Sequence, residues 1–368
     1  MSLFIEFLDY MSTMSATLIA KAVEDKISAY RRQFDTIFGD IVEFLVSEDE
    51  KDQELGPAAS WLRGALEYNA NDGKKSRGMM VIMCLDYLKG GKVSEEEAIK
   101  ALTLGWCVEL LQALFLVADD VMDQSEMRRG KPCWYKKCGL VAVNDTFLME
   151  ACIYKLLKKH FAEAPYYVSL VNAFHDITYL TAMGQELDML VYDPSSELDL
   201  SKYTMKKYKA IVKYKTAFYS FYLPISLGMH MAGITDQKMF DKARNVLMEL
   251  GEFFQIQDDY LDCYGNPEIM GKIGTDIQDA KCSWLMVTAL EKASEEQRNI
   301  LKIHYGKTNE ESISKVKQLF NELELEKEFK SYEEKSRERI IDLIEVNSNG
   351  LPKGLFIELV KKIYKREK

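Results

Sequence analysis

Apolar residues recur at helical spacing along almost the whole chain, and this periodicity limits the fold more than any other feature. Across residues 19–46 they fall at Ile19, Val23, Ile27, Tyr30, Phe34, Ile37, Phe38, Ile41 and Leu45, the pattern of one buried helix face. The same pattern predicts helices near 54–69, 76–90, 94–123, 142–160, 166–192, 204–232, 236–264, 279–293, 295–305, 308–322, 326–346 and 352–366. The breaks hold turn formers: Asn71-Asp72-Gly73, Gly90-Gly91, Asp193-Pro194-Ser195-Ser196, Gly265-Asn266-Pro267 and Asn347-Ser348-Asn349-Gly350. Thr235 and Ser294 are read as N-caps. Only 7 of the 368 residues are proline, so few helices need be interrupted. No alternating run is long enough to build a sheet. The expectation is an all-α chain, with residues 1–18 a variable N-terminal extension and residues 19–368 a single domain that includes a helical hairpin towards the C-terminus. Segments 142–160 and 204–232 are apolar on more than one face, which suits a deep core or a second subunit.

Two aspartate clusters interrupt the apolar pattern. Asp119-Asp120-Val121-Met122-Asp123 lies in LFLVADDVMD, and Asp258-Asp259-Tyr260-Leu261-Asp262 lies in FFQIQDDYLD. The first and last carboxylates of each are four residues apart, so they share a helix face. Like charges at that spacing weaken a helix, and carboxylates in apolar surroundings are costly unless paired. Hard divalent cations meet that need. Magnesium takes one or two carboxylates, keeps several waters and completes its shell with phosphate oxygens. Two facing clusters would therefore hold a diphosphate through bridging metals. The alternative for each cluster is a solvated helix face. Neither lies in the glycine-bearing loop of an EF-hand.

Basic residues flank these clusters. Arg128-Arg129 follows the first, just before Gly130. Gly73-Lys74-Lys75-Ser76-Arg77-Gly78 is a turn leading into a helix, offering backbone N–H groups and three cations to an anion. It lacks the spacing of a nucleotide phosphate loop. Lys215, Lys272 and Lys281 add positive charge in the other half. The net charge of −10 argues against nucleic acid or an anionic membrane as the main partner. Seven cysteines without a CxxC, and the scattered His160, His175, His230 and His304, give no disulfide framework, zinc site or Ser-His-Asp arrangement; a reducing cytoplasm fits. No apolar run is expected to reach the ~20 residues of a stable membrane span. Glu6 and Asp9 precede the first basic residue, Lys21, the wrong charge for a targeting segment.

The stretches VELLQALFLVADDVMDQSEMRRG, AIVKYKTAFYSFYLPISLGM and GEFFQIQDDYLDCYGNPEIMGKIGTDIQDAKCSWL resemble the eukaryotic farnesyl diphosphate synthases of the short-chain prenyl diphosphate synthase family. The likeness covers nearly the whole chain, through to the terminal KIYKREK. It implies a single-domain helical bundle of isoprenoid synthase type around a deep central cavity, usually a homodimer. The two aspartate motifs would face each other across its mouth over three Mg2+ ions, for which Mn2+ can substitute. The implied reaction joins isopentenyl diphosphate head to tail with dimethylallyl or geranyl diphosphate and releases diphosphate.

Carried over by position, Asp119 and Asp123 resemble the first-motif metal ligands and Asp258 the principal second-motif ligand. Asp262 and Asp188 would share the same metal–water shell. Lys74, Arg77 and Arg129 would bind isopentenyl diphosphate. Arg128, Lys215 and Lys272 would bind the allylic diphosphate, with Gln112, Thr216, Gln255 and Lys281 nearby. Of these, Arg128, Lys215, Thr216 and Gln255 are the expected catalytic groups. Arg128 and the Lys215 ammonium would stabilise the leaving diphosphate, while the Lys215 carbonyl and the oxygens of Thr216 and Gln255 would face a carbocation. No side chain is an obvious general base, so the departed diphosphate is the expected proton acceptor.

Leu111, Phe115, Asp119 and Asp123 form one stripe on a straight helix, so a growing prenyl chain would run past Phe115. In the family the two residues at the cavity floor are usually Phe-Phe, whereas this chain has Leu114-Phe115. A deeper pocket with a twenty-carbon product and a simple repacking both stay open. The tail Lys365-Arg366-Glu367-Lys368 is less basic than the family's. The rivals are a geranylgeranyl or dual farnesyl/geranylgeranyl diphosphate synthase, a terpene synthase, and a catalytically dead interaction protein. A terpene synthase would not need Lys74, Arg77 and Arg129 together, and a dead protein would have lost an aspartate.

Overall fold

The structure, a computed structural model, describes residues 2–266 and 274–364, with side chains from residue 24 onward. The periodicity is realised as α1 (Ser2–Glu50), α2 (Gly56–Asn69), α3 (Ser76–Leu88), α4 (Glu95–Met122), α5 (Trp134–Cys138), α6 (Val141–Phe161), α7 (Tyr167–Met189), α8 (Met205–Ile211), α9 (Leu223–Met231) and α10 (Gln237–Tyr264). The C-terminal part forms α11 (Trp284–Lys292), α12 (Glu295–His304), α13 (Glu310–Glu322), α14 (Leu325–Asn347) and α15 (Lys353–Tyr364). The all-α expectation holds. Among the described residues the strands are limited to a two-residue pair, β1 (Met127–Arg128) and β2 (Lys131–Pro132). The turn between them is Arg129-Gly130, with φ of 53° and 76°.

α4 forms the central axis. Ser94 accepts from the Glu97 amide while the Glu97 side chain returns to the Ser94 amide, a reciprocal cap that fixes where the helix begins. Glu95, Glu96 and Glu97 fill its first turn, where the helix dipole favours anions. α3 and α6 pack along it, with α1, α2, α5 and α9 around them. By length and composition α4 is apolar enough to cross a membrane, contrary to the expectation of no such run. Most of it is buried inside the fold, and a helix apolar all round is what a central position demands.

Among the described residues, three apolar clusters build the interior. One surrounds α4. A second joins α8, the end of α10, α11 to α13 and the start of α14. A third joins α3, α9, most of α10, α14 and α15.

Some elements depart from the expected helices. The stretch 204–232 is not one uniform helix, because a π-helical segment, Val212–Tyr222, separates α8 from α9. Such segments recur at functional sites, and Lys215 and Thr216 lie in this one. The helix expected from 279 starts only at Trp284, so Lys281 sits on a loop. Ser294 caps α12 with a full capping box, as expected. At α10 the cap is Asp236, which accepts from the Lys238 amide, and not Thr235. An Asp carboxylate one residue later reaches the exposed amides equally well.

Candidate active site

Three helices and one loop bring charged side chains to a single point. Asp119 lies in the last turn of α4, and Asp123 is its C-cap. Gln185 and Asp188 come from α7, Lys215 from the π segment, and Lys281 from the loop before α11. Lys215 Nζ lies 2.7 Å from Asp188 and 3.3 Å from Asp119. Lys281 Nζ donates to both Asp123 oxygens at 2.7 and 2.8 Å and lies 3.5 Å from Asp188. Arg128 reaches Asp119 at 3.4 Å, and Gln185 Nε2 donates to Asp119 Oδ1 at 3.2 Å.

The electrostatics follow from this interleaving. Burial pushes the Asp119 carboxyl up, but Lys215, Lys281 and Arg128 outweigh it and hold the group at about 2. The Asp188 side chain is largely covered and ends below the usual carboxylate range because Lys215 and Lys281 face it. Asp123 ends above that range, because burial and the Asp119 charge outweigh Lys281. Lys215 is partly buried, and Asp119 and Asp188 keep its ammonium strongly protonated.

The donor set is all oxygen, which matches a hard divalent cation rather than zinc. Among the described residues no three possible ligands already form a metal cluster. The two ammonium groups bridge the carboxylates instead, so cations would have to enter by displacing them.

The second aspartate of each motif has a role not expected from the sequence. Asp120 is buried and accepts from Arg128 Nε at 3.0 Å and Nη2 at 2.5 Å, aiming that guanidinium at the site. Asp259 accepts from Gln255 Nε2 at 2.9 Å and from the Trp284 amide at 2.7 Å. Its burial pushes its carboxyl up to about 7. The signal was available, since the next residue on a helix points ~100° away from the ligand stripe and hence into the protein. Asp262 accepts from the Asp276 amide at 3.0 Å, and Asp258 stands one turn earlier on α10. Lys272 and the tail 365–368 lie outside the described residues.

A second basic group gathers at the start of α3. Arg77 Nε donates to Ser220 Oγ at 2.9 Å, and its guanidinium lies 4.9 Å over Tyr219 and 5.7 Å over Phe254. With its amide oriented to satisfy its neighbours, Gln112 accepts from Arg77 Nη1 and donates to Glu109 Oε2, both at 2.9 Å. Glu109, another residue not anticipated, is buried and takes the Gly78 amide at 2.7 Å. Arg129 bonds to the carbonyls of Asn69 and Asp72. The Lys74 carbonyl accepts from Arg31. Lys75 is committed elsewhere, to Asp35 at 2.9 Å.

Between the two groups, Thr216 Oγ1 donates to Gln255 Oε1 at 2.9 Å. One turn back from Asp119, the Phe115 ring is 6.3 Å from that of Tyr219. Leu114 is buried in the main core cluster, whereas Phe115 is only partly buried. α7 approaches the π segment so closely that a Cβ on Gly184 would lie 2.2 Å from the Lys215 nitrogen. Among the described residues, the non-glycine residues with positive φ are Lys75, Gln124, Arg129, Ala280 and Glu324. Each of the first four adjoins a site residue in sequence or is one, and such strain concentrates at functional sites.

Residues 59–323 match the polyprenyl synthetase family model. The chain is 49% identical to the farnesyl pyrophosphate synthase of Bos taurus over 351 residues, covering 94% of this chain and 99% of that one. It is 46% identical to the Saccharomyces cerevisiae farnesyl pyrophosphate synthase, covering 92% and 98%. Among solved structures, it is similar to a T. brucei farnesyl diphosphate synthase complexed with risedronate, with a TM-score of 0.85, 35% identity, and coverage of 92% of this chain and 100% of that one.

Proposed function

The chain belongs to the polyprenyl synthetase family, and on that premise we propose that it is a prenyltransferase that condenses isopentenyl diphosphate with dimethylallyl or geranyl diphosphate to form farnesyl diphosphate. The observation that carries this reading is the meeting of Asp119, Asp123 and Asp188 with Lys215, Lys281 and Arg128, beside a second basic group at Arg77, Gln112 and Arg129. One cationic group per diphosphate is what a two-substrate condensation needs.

Mg2+ is the proposed cofactor, three ions with Mn2+ as substitute, held by Asp119, Asp123 and Asp188 and, from α10, by Asp258 and Asp262. When bound, the ions neutralise charge on the diphosphate oxygens. The protein's own cations then have a second task. Lys215, Lys281 and Arg128, now spent on carboxylates, turn to the allylic diphosphate and stabilise the charge that develops as the C–O bond breaks. Lys272 is assigned to the same group. Lys74, Arg77 and Arg129 hold isopentenyl diphosphate.

Thr216 spends its proton on Gln255, so its oxygen lone pairs are left to face the carbocation. The Lys215 carbonyl assists. Phe115 and Tyr219 keep water from the cation, which would otherwise become an alcohol. The departed diphosphate takes the proton. Residues 19–368 work as one unit.

The test is incubation with isopentenyl and geranyl diphosphates in magnesium buffer, then dephosphorylation and chromatography. Farnesol is the expected product. A cyclised hydrocarbon or geranylgeraniol as the main product would overturn the reading. Leu114→Phe should reduce any twenty-carbon by-product relative to the fifteen-carbon product. Identical ratios in the two proteins would show that Leu114 only fills the core.

A homodimer through the outer faces of α6 and α7 is part of the proposal. Phe147 is 65% exposed and Tyr179 is 64% exposed. Phe147 continues along α6 to Tyr154, and Tyr179 and Met183 continue along α7 from His175. Tyr154 and His175 stack at 4.5 Å and share a hydrogen bond of 2.9 Å, joining the two stripes. Large exposed aromatic side chains on two adjoining helices suit an interface. Phe147→Glu is expected to shift the sedimentation coefficient to that of a monomer; an unchanged dimer would exclude this face. The seven unpaired thiols support a reducing, cytoplasmic setting.

A further inference from the structure

We infer that Tyr305 is a positioning residue, which acts by holding the loop that carries Lys281 so that its ammonium spans Asp123 of α4 and Asp188 of α7. The loop before α11 is unusual. Ala280 takes φ of 51°, a conformation that disfavours a residue with a Cβ and persists only where the surroundings enforce it. The surroundings here are two buried tyrosines from different elements. Tyr305 Oη donates to the Lys281 carbonyl at 2.8 Å, and Tyr203 Oη donates to the Ala280 carbonyl at 2.7 Å. Their rings meet edge to face, with centroids 6.1 Å apart. Both side chains are buried, so neither hydroxyl is easily replaced by water.

The same loop is tied on its other side to α10. Asp262 takes the Asp276 amide, and Asp259 takes the Trp284 amide at the far end. The Gly306 amide, next to Tyr305, adds a bond of 2.8 Å to the Ile277 carbonyl. The loop is thus a strap. Its ends are fixed to the second aspartate motif, its middle is fixed by the tyrosines, and Lys281 reaches from it to the first motif. The backbone on both sides of the Lys281 Cα is set, so its ammonium position does not depend on side-chain rotamers alone.

This rests on the reading above, in which Lys281 turns to the allylic diphosphate. Tyr305→Phe removes one hydroxyl and keeps the ring. It should raise KM for geranyl diphosphate by ~5-fold, the worth of one buried hydrogen bond, while KM for isopentenyl diphosphate stays unchanged. In a Lys281→Gln background the same substitution should add no further loss, as expected when one residue acts through the other. A parallel rise in both KM values, or the same penalty in the Lys281→Gln background, would overturn the proposal. If Tyr305→Phe does not fold, as read by circular dichroism, Tyr203→Phe carries the same comparison, because it removes the other hold on the strap. Should the unsubstituted protein form no prenyl product, the functional reading fails by itself. Calorimetric binding of inorganic diphosphate with Mg2+ then still tests the strap, with ~5-fold weaker binding in Tyr305→Phe expected from the lost bond and equal binding overturning it.

Discussion

Asp119→Asn is expected to lower turnover by ~10³-fold while leaving the protein folded, because it removes one charge from the point where metal and substrate charge must balance. Asp119 faces Lys215, Arg128 and Gln185 at once. Its carboxylate is held ionised by those cations against the cost of burial. Asn keeps the shape and one acceptor but cannot neutralise an ammonium or bind a hard cation strongly. The loss should fall on kcat more than on the KM for isopentenyl diphosphate, whose proposed partners lie at the start of α3. Steady-state kinetics with each substrate varied in turn, beside a thermal melt, measures this. Turnover within ~10-fold of the unsubstituted protein would mean that Asp119 is not a ligand, since a lost charge partner in a catalytic site costs more than that.

Gly184→Ala should damage stability and turnover together. The new Cβ would stand 2.2 Å from the Lys215 nitrogen, 2.5 Å from the Tyr214 carbonyl carbon and 2.7 Å from the Lys215 Cα. All three are backbone atoms, so no flexible side chain can yield. Relief requires α7 and the π segment to separate, which displaces Asp188 and Lys215 together. Overpacking of this kind costs about 1–3 kcal/mol, and the displacement should lower turnover as well. Chemical denaturation and kinetics report the two effects separately. A variant with native stability and native turnover would show that the approach of α7 to Lys215 is not a constraint.

The sequence made some of this legible for clear physical reasons. Helical spacing identified the helices because each buries one face, and the four-residue spacing identified Asp119 with Asp123 as sharing a direction. The rest depended on contacts between distant segments. Nothing in the run VKYKTAFYSFY distinguishes a π segment from an α-helix, because the difference lies in the hydrogen-bond register that α7 and α10 stabilise. Ala280 carries no turn signal, since its conformation is imposed by Tyr203 and Tyr305, residues far away in sequence. The pairing of Lys281 with Asp123 spans 158 positions, and no local pattern announces it. Asp236 in place of Thr235 at the start of α10 is the smaller kind of miss, a one-residue shift between two good caps.

The central claim is that two cationic sites on one bundle serve two diphosphates in a single condensation. The most direct test follows isopentenyl diphosphate consumed and inorganic diphosphate released in the same reaction, starting from geranyl diphosphate, with Mg2+ and again with chelator. Equal amounts of each are expected with the metal, and neither with the chelator. Diphosphate released while isopentenyl diphosphate remains untouched would contradict it.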